Sequence, residues 1–200
     1  MELLIEKSDI IISSVTAEAQ KSILEVIKGD KHFISVSNAL LIKEMSKVYP
    51  GRVSRVMPTV ALGGYTLITK GAEDIKDIFS KISTPIVVEE KDFDLFTLIT
   101  SSGPGLFTTI LEVLVDRFSE NTNYDKNIIK DMINSTFSST LKTLIEQNIE
   151  YKTLINRVAT KGGLTEVGVN VIRQNMPKVV SNVIESSLKY NNKKTKENIF

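Results

Sequence analysis

The chain has 200 residues, 42% of them hydrophobic, with 25 basic and 24 acidic side chains for a net charge of +1. That balance gives no electrostatic case for a nucleic-acid surface, and no basic patch carries interleaved aromatics. With no cysteine there is no disulfide, thiolate nucleophile or Cys-based metal site.

In chain order, the first half alternates apolar runs with helical stretches. Asp9–Val15 (DIIISSV) and His32–Val36 are β-branched runs of the kind buried on both faces of a parallel sheet. Between them Ala17–Ile27 places Ile23, Val26 and Ile27 on one helical face, and Gly29-Asp30 closes it. A strand–helix–strand unit of this kind implies parallel pairing. Leu40–Val48 predicts a short helix, Val53–Met57 and Tyr65–Thr69 predict strands, Ala72–Ile82 a helix and Ile86–Val88 another strand. The N-terminus has Glu2, Glu6 and Asp9 in place of the basic region of a signal peptide. By this reading no apolar run reaches the ~18 residues that span a bilayer, so a cytoplasmic protein free of membrane is expected.

Beyond Glu89–Asp92 (EEKD) the apolar spacing turns helical. Phe107, Ile110, Leu111, Leu114, Val115 and Phe118 share one helical stripe, and Ile129, Met132, Ile133, Phe137, Leu141, Leu144 and Ile145 share another. Val167, Val171, Ile172, Val179, Val183 and Leu188 continue the pattern, with Pro177 expected to break or kink it, or to start a new helix. So many apolar helices in so short a region predict a core completed by a partner chain. The closing run Asn191–Lys196 (NNKKTK) is read as a solvated, frayed end.

His32 is the single histidine and no nucleophile-elbow sequence is present, which argues against a hydrolytic triad. Nor do the lone histidine and scattered carboxylates show metal-ligand spacing. The informative segment is Val158–Val169, VATKGGLTEVGV. Two glycines between Thr160 and Thr165 let the backbone approach a ligand closely. Thr165 is expected to cap the helix that follows, whose free N–H groups suit a carboxylate or phosphate.

Two further segments, Arg55–Ala61 (RVMPTVA) and Thr100–Phe107 (TSSGPGLF), precede it. In this order the three resemble the pyrroline-5-carboxylate reductase family, with its Arg-Val-Met-Pro-Asn-Thr-Pro, Ser-Gly-Ser-Gly-Pro-Ala and Ser-Pro-Gly-Gly-x-Thr runs. The resemblance extends from Lys7 to Tyr190. It implies an α/β N-terminal part over residues 1–90, the remnant of a Rossmann-type parallel sheet. An all-α dimerisation domain would follow over residues 91–200, resembling the 6-phosphogluconate dehydrogenase C-terminal-like fold. It also implies reduction of a cyclic imine, Δ1-pyrroline-5-carboxylate, to proline with NADP or NAD, by a homodimer or higher oligomer. Thr160, Gly162, Gly163 and Thr165 would line the substrate-carboxylate site, with Thr165 catalytic. Ser14, Val15 and Thr16, with Ser13 before them, would meet the cofactor. So would Asn38, between Ser37 and Ala39 where the family has Ala-Ala-Gly, and Met57 and Pro58.

The departures are specific. The family's Asn-Thr-Pro is Thr59-Val60-Ala61, its Pro before the glycine pair is Lys161, and Ser101 and Leu164 replace a glycine and a residue that is often threonine. No G-x-G-x-x-G occurs. The opening ELLIEKSDIIISSV resembles the later part of the family's nucleotide domain. It is expected that Met1 lies inside that domain, through truncation or a start codon placed too late, and that the chain alone binds no dinucleotide tightly and is inactive or impaired. A non-catalytic dimeric scaffold or regulatory paralogue is the alternative.

Overall fold

The computed structural model describes residues 2–61 and 63–197; Met1, and with it the expected position of the start, lies outside them. In order the elements are α1 (Glu2–Lys7), β1 (Ile10–Ser13), α2 (Ala17–Val26), β2 (His32–Ser35), α3 (Ile42–Val48), β3 (Val53–Met57) and β4 (Tyr65–Thr69). A 3-10 turn (Glu73–Ile75) leads into α4 (Lys76–Phe79), β5 (Thr84–Val88), α5 (Glu90–Thr100), α6 (Gly103–Ser119), α7 (Lys126–Glu146), α8 (Tyr151–Val158) and α9 (Leu164–Glu197). Two compact units emerge. One holds the residues up to Pro104 together with those from Val183 onward, the other Gly105–Asn182.

In the first unit the strands lie in sequence order, β1-β2-β3-β4-β5. β1, β2 and β3 run parallel, with Ile10 opposite His32 and Phe33 opposite Val53. β4 turns antiparallel to β3, and β5 pairs with β4 in parallel. This is a small, parallel-dominated sheet followed by a mostly helical region.

Alternation along the strands sends neighbouring side chains to opposite faces. Phe33 packs with Leu24, Leu40, Met45 and Tyr49 under α2 and α3, whereas Ile34 packs on the other face with Val56, Ile68, Ile75 and Phe79. Met57, Leu67, Val88 and Phe93 form a third cluster, which seats α5. Thr16 starts α2 by accepting the N–H of Ala19 at 3.3 Å. The helix expected over residues 72–82 is shorter, running over Lys76–Phe79 and entered through the 3-10 turn, and Ala72, Ile75 and Phe79 reach one core cluster.

In the second unit, α7 and α8 contain no buried residue, and Met132, Phe137, Leu141 and Ile145 stand exposed along α7. Pro177 does not interrupt α9. It lacks an N–H, so the carbonyl of Arg173 has no donor four residues on, but the helix continues on both sides. Among the described residues one helical run, Glu90–Ser119, is long and apolar enough by length and composition to cross a membrane, where the sequence led us to expect none; core helices of other proteins share that composition.

Candidate functional site

Because β1, β2 and β3 are parallel, the residues that follow them emerge at one edge of the sheet, where open α/β sheets bind their ligands. Ser14, Val15 and Thr16 follow β1 and are exposed, Asn38 follows β2, and Pro58 follows β3. A groove at this edge is lined by Thr16, Ser37, Asn38 and Ala39, with Lys21 from α2 and Lys194 from the end of α9. Met57 ends β3 but its side chain is buried among Leu67, Val88 and Phe93.

Gln20, on α2, holds the first two of these loops together. Its amide nitrogen donates to the carbonyls of Ser13 at 3.0 Å and Val15 at 3.1 Å. Its oxygen accepts from the Ser35 hydroxyl at 2.6 Å, and that hydroxyl in turn accepts the N–H of Ser37 at 3.1 Å. Gln20 and Ser35 are fully buried, so the network is shielded from competing water.

Arg55 holds the second loop from the other side. Its guanidinium, fully buried, donates to the Asn38 carbonyl at 2.7 Å and to Asp94 at 2.8 Å, with Glu90 3.6 Å away. The guanidinium carbon lies 4.2 Å from the centroid of the Phe93 ring, which covers it. Asn191 reaches both Asn38 and Asp94 with its side chain. The run Asn191–Lys196 is therefore not a frayed end. α9 extends through it to Glu197, and Lys194 pairs with Glu197 at 2.8 Å.

In the second unit, Thr160, Gly162, Gly163 and Thr165 come together where α9 begins. The Gly163 N–H donates to the Thr160 carbonyl at 2.9 Å, closing a tight turn. Gly162 takes φ +72°, a conformation that side chains disfavour. A Cβ on Gly163 would collide with the Thr160 hydroxyl. α9 starts at Leu164, so Thr165 already sits inside the first turn and is not its cap. Glu166 closes the turn ahead of the helix, its carboxylate accepting the Gly162 N–H at 2.7 Å. The first helical hydrogen bond at the turn runs from the Val167 N–H to the Gly163 carbonyl, at 3.3 Å, which leaves the N–H groups of Leu164, Thr165 and Glu166 without a helical partner. With its exposed hydroxyl, Thr165 adds a neutral donor and acceptor beside them.

Sequence reading named both groups of loop residues but missed Gln20, Asp94 and Asn191. The Arg55 of the RVMP run was visible, without its partners. Nothing local marks these side chains: Asp94 and Asn191 act on elements distant in sequence, and Gln20 ties the loop before its own helix to the next strand.

The residues at the sheet edge suit the nicotinamide end of a dinucleotide: hydroxyls and amides on loops that are fixed from beneath. A pyrophosphate would need the glycine turn, which these residues lack.

Comparison with known proteins fits this architecture. Pyrroline-5-carboxylate reductase 3 of Bacillus subtilis is 26% identical over 182 residues, covering 86% of this chain and 67% of its own length. ComE operon protein 4 of the same organism is 22% identical over 178 residues, covering 84% of this chain. The chain thus spans 65% of the second relative's length. Among solved structures, the Plasmodium falciparum pyrroline carboxylate reductase with NADP bound superposes with a TM-score of 0.81 at 24% identity, over 97% of this chain and 80% of that one. The Streptococcus pyogenes 1-pyrroline-5-carboxylate reductase gives 0.82 at 20% identity, over 96% and 78%. The shared fold is a Rossmann-type sheet with a helical dimerisation domain. The family model for pyrroline-5-carboxylate reductase dimerisation matches residues 90–194, more than half of the sequence, and the chain belongs to the pyrroline-5-carboxylate reductase family.

Proposed function

We propose that these residues serve an NAD(P)-dependent reductase of Δ1-pyrroline-5-carboxylate, forming proline in the cytoplasm as a homodimer. The carrying observation is the loop Thr160-Lys161-Gly162-Gly163-Leu164-Thr165, which presents unpaired N–H groups and a hydroxyl at the start of a long helix. The N–H groups of Leu164 and Thr165 bind the substrate carboxylate, favoured by the positive end of the α9 dipole. Lys161, exposed on the same turn, adds positive charge. The Thr165 hydroxyl bonds the ring nitrogen and holds the proton there as the C=N bond becomes C–N. Nicotinamide supplies the hydride when bound. Ser14, Val15, Thr16, Asn38 and Pro58 line its place at the sheet edge, with Met57 beneath. The protein's part is alignment, which is where most of the rate gain lies when the cofactor carries the hard chemistry.

Taken alone, the 200 residues lack the glycine turn that anchors a pyrophosphate, so turnover by them alone is impaired. That absence, with Thr59-Val60-Ala61 in place of an amide-bearing run, favours a second reading as a non-catalytic dimeric scaffold or regulatory paralogue.

Thr165 tests the site. In protein joined to a βαβ half carrying G-x-G-x-x-G, Thr165→Ala should lower turnover of pyrroline-5-carboxylate tenfold or more, equivalent to ~1.4 kcal/mol at the transition state. Thr165→Ser should retain most of it. Because Thr165 is exposed and caps nothing, the alanine variant should keep its melting temperature. Full activity in Thr165→Ala would remove this residue from the reacting centre.

A further inference from the structure

Asn38 stands in the loop between β2 and α3, and it belongs to a ring of polar contacts with residues from three other elements. Its Nδ2 donates to Oδ1 of Asn191 at 3.1 Å. Asn191 Nδ2 donates to Asp94 Oδ2 at 2.7 Å. The other oxygen of Asp94 accepts from Arg55 Nη2 at 2.8 Å, and the same nitrogen donates to the main-chain carbonyl of Asn38 at 2.7 Å. The four residues close a ring that links the loop, α9, α5 and β3.

Chemistry fixes the direction of each bond. An ionised carboxylate only accepts, so Asn191 must turn its nitrogen toward Asp94 and its oxygen toward Asn38. Asn38 must then give its nitrogen to Asn191, which leaves its side-chain oxygen on the Arg55 side, 3.4 Å from Nη2. At that distance the oxygen is weakly engaged and keeps acceptor capacity. The anchor is rigid, since Arg55 is fully buried against Phe93. A second tie grips the far end of the same loop, where Glu90 Oε1 accepts the Ile42 N–H at 2.8 Å.

We propose that Asn191 is a positioning residue that orients the Asn38 amide and the loop 36–41 along the groove, so that the Asn38 oxygen meets an N–H donor of the bound ligand, as a primary carboxamide supplies. This rests on the cofactor reading of the groove given above. The device belongs to this chain's own residues. An alanine at position 38 could not join the ring, and a carboxylate at 191 would set like charges against Asp94.

Amide hydrogen exchange followed by NMR on the full chain, with NADPH as the probe ligand, tests it. Asn191→Ala should speed exchange over residues 36–41 by about tenfold and leave Leu67 and Ile68 of β4 unchanged, as for a local opening. Asn191→Asp should do at least as much. The double variant Asn38→Ala with Asn191→Ala should be no faster than Asn38→Ala alone, since the two act through one contact. NADPH, titrated to several millimolar, should shift amides of residues 14–16 and 36–41, and Asn191→Ala should raise its dissociation constant severalfold. Unchanged loop exchange, equal acceleration across the whole sheet, or additive effects in the double variant would overturn the positioning role. Coupled loop exchange with no amide shifted by NADPH in any variant would uphold the positioning of the loop and overturn the cofactor reading, and with it the ligand acceptor.

Discussion

His32 enters β2 with its ring buried and its Nε2 2.8 Å from the hydroxyl of Ser54. Burial pulls its pKa below 6.5, the nearby Arg52 lowers it further, and Asp74 partly opposes both. The folded protein therefore keeps His32 neutral at pH values where the unfolded chain takes up a proton. In that window the unfolded state binds more protons, so stability rises with pH and is lost as pH falls below 6.5. Glu73 and Asp74 have lowered pKa values, from a backbone bond to Gly71 and from Arg52 respectively, and their contribution is lost only at lower pH, below 4.5 and 3.8. The urea midpoint should accordingly drop between about pH 7.5 and about pH 5.5, and His32→Gln should flatten that drop. A native curve already flat across this range would mean that His32 is protonated without cost in the fold. At this scale the sequence was a poor guide. It showed a lone histidine at a strand mouth, but the Ser54 beside it lies on the next strand and Arg52 just before that strand. The site residues divide in the same way. Thr160, Gly162, Gly163 and Thr165 were readable because they are contiguous, whereas Asn191 meets Asn38 across 153 positions.

The strands were legible element by element because β-branched runs bounded by turn residues carry their own signal. Val53–Met57 and Tyr65–Thr69 fall where the pattern places them, and Thr84–Val88 starts two residues early. What the pattern could not carry was the antiparallel turn of β4, which depends on the short loop after Met57, or the passage of α9 through Pro177. One element junction is fixed by sterics. A Cβ on Gly51, before β3, would lie 2.6 Å from the Tyr49 ring and 2.7 Å from the Lys31 carbonyl oxygen. Neither can yield easily, since Tyr49 is fully buried and its hydroxyl donates to that same carbonyl at 2.7 Å. Gly51→Ala should therefore cost ~1–3 kcal/mol in urea unfolding, as an overpacked site does. A neutral substitution would show that the α3–β3 turn can relax.

For the whole molecule, the exposed apolar side chains of the second unit set the next expectation. Phe137, Leu141 and Ile145 recur every four residues on α7, and Val167, Val171 and Ile172 stand exposed on α9. A second copy of the chain is expected to cover these stripes, with an interface on the order of 2,000 Å² or more. Sedimentation at micromolar concentration should give twice the 22.3 kDa of the monomer, and a clean monomer would rule out helices shared between copies. The reductase reading itself is tested most directly by proline formation. The 200 residues joined to a glycine-fingerprint βαβ half should convert pyrroline-5-carboxylate to proline with stoichiometric oxidation of NADPH, and the 200 residues alone should do so far more slowly. A folded, dimeric joined protein that binds NADPH and forms no proline would contradict the account and leave the scaffold in its place.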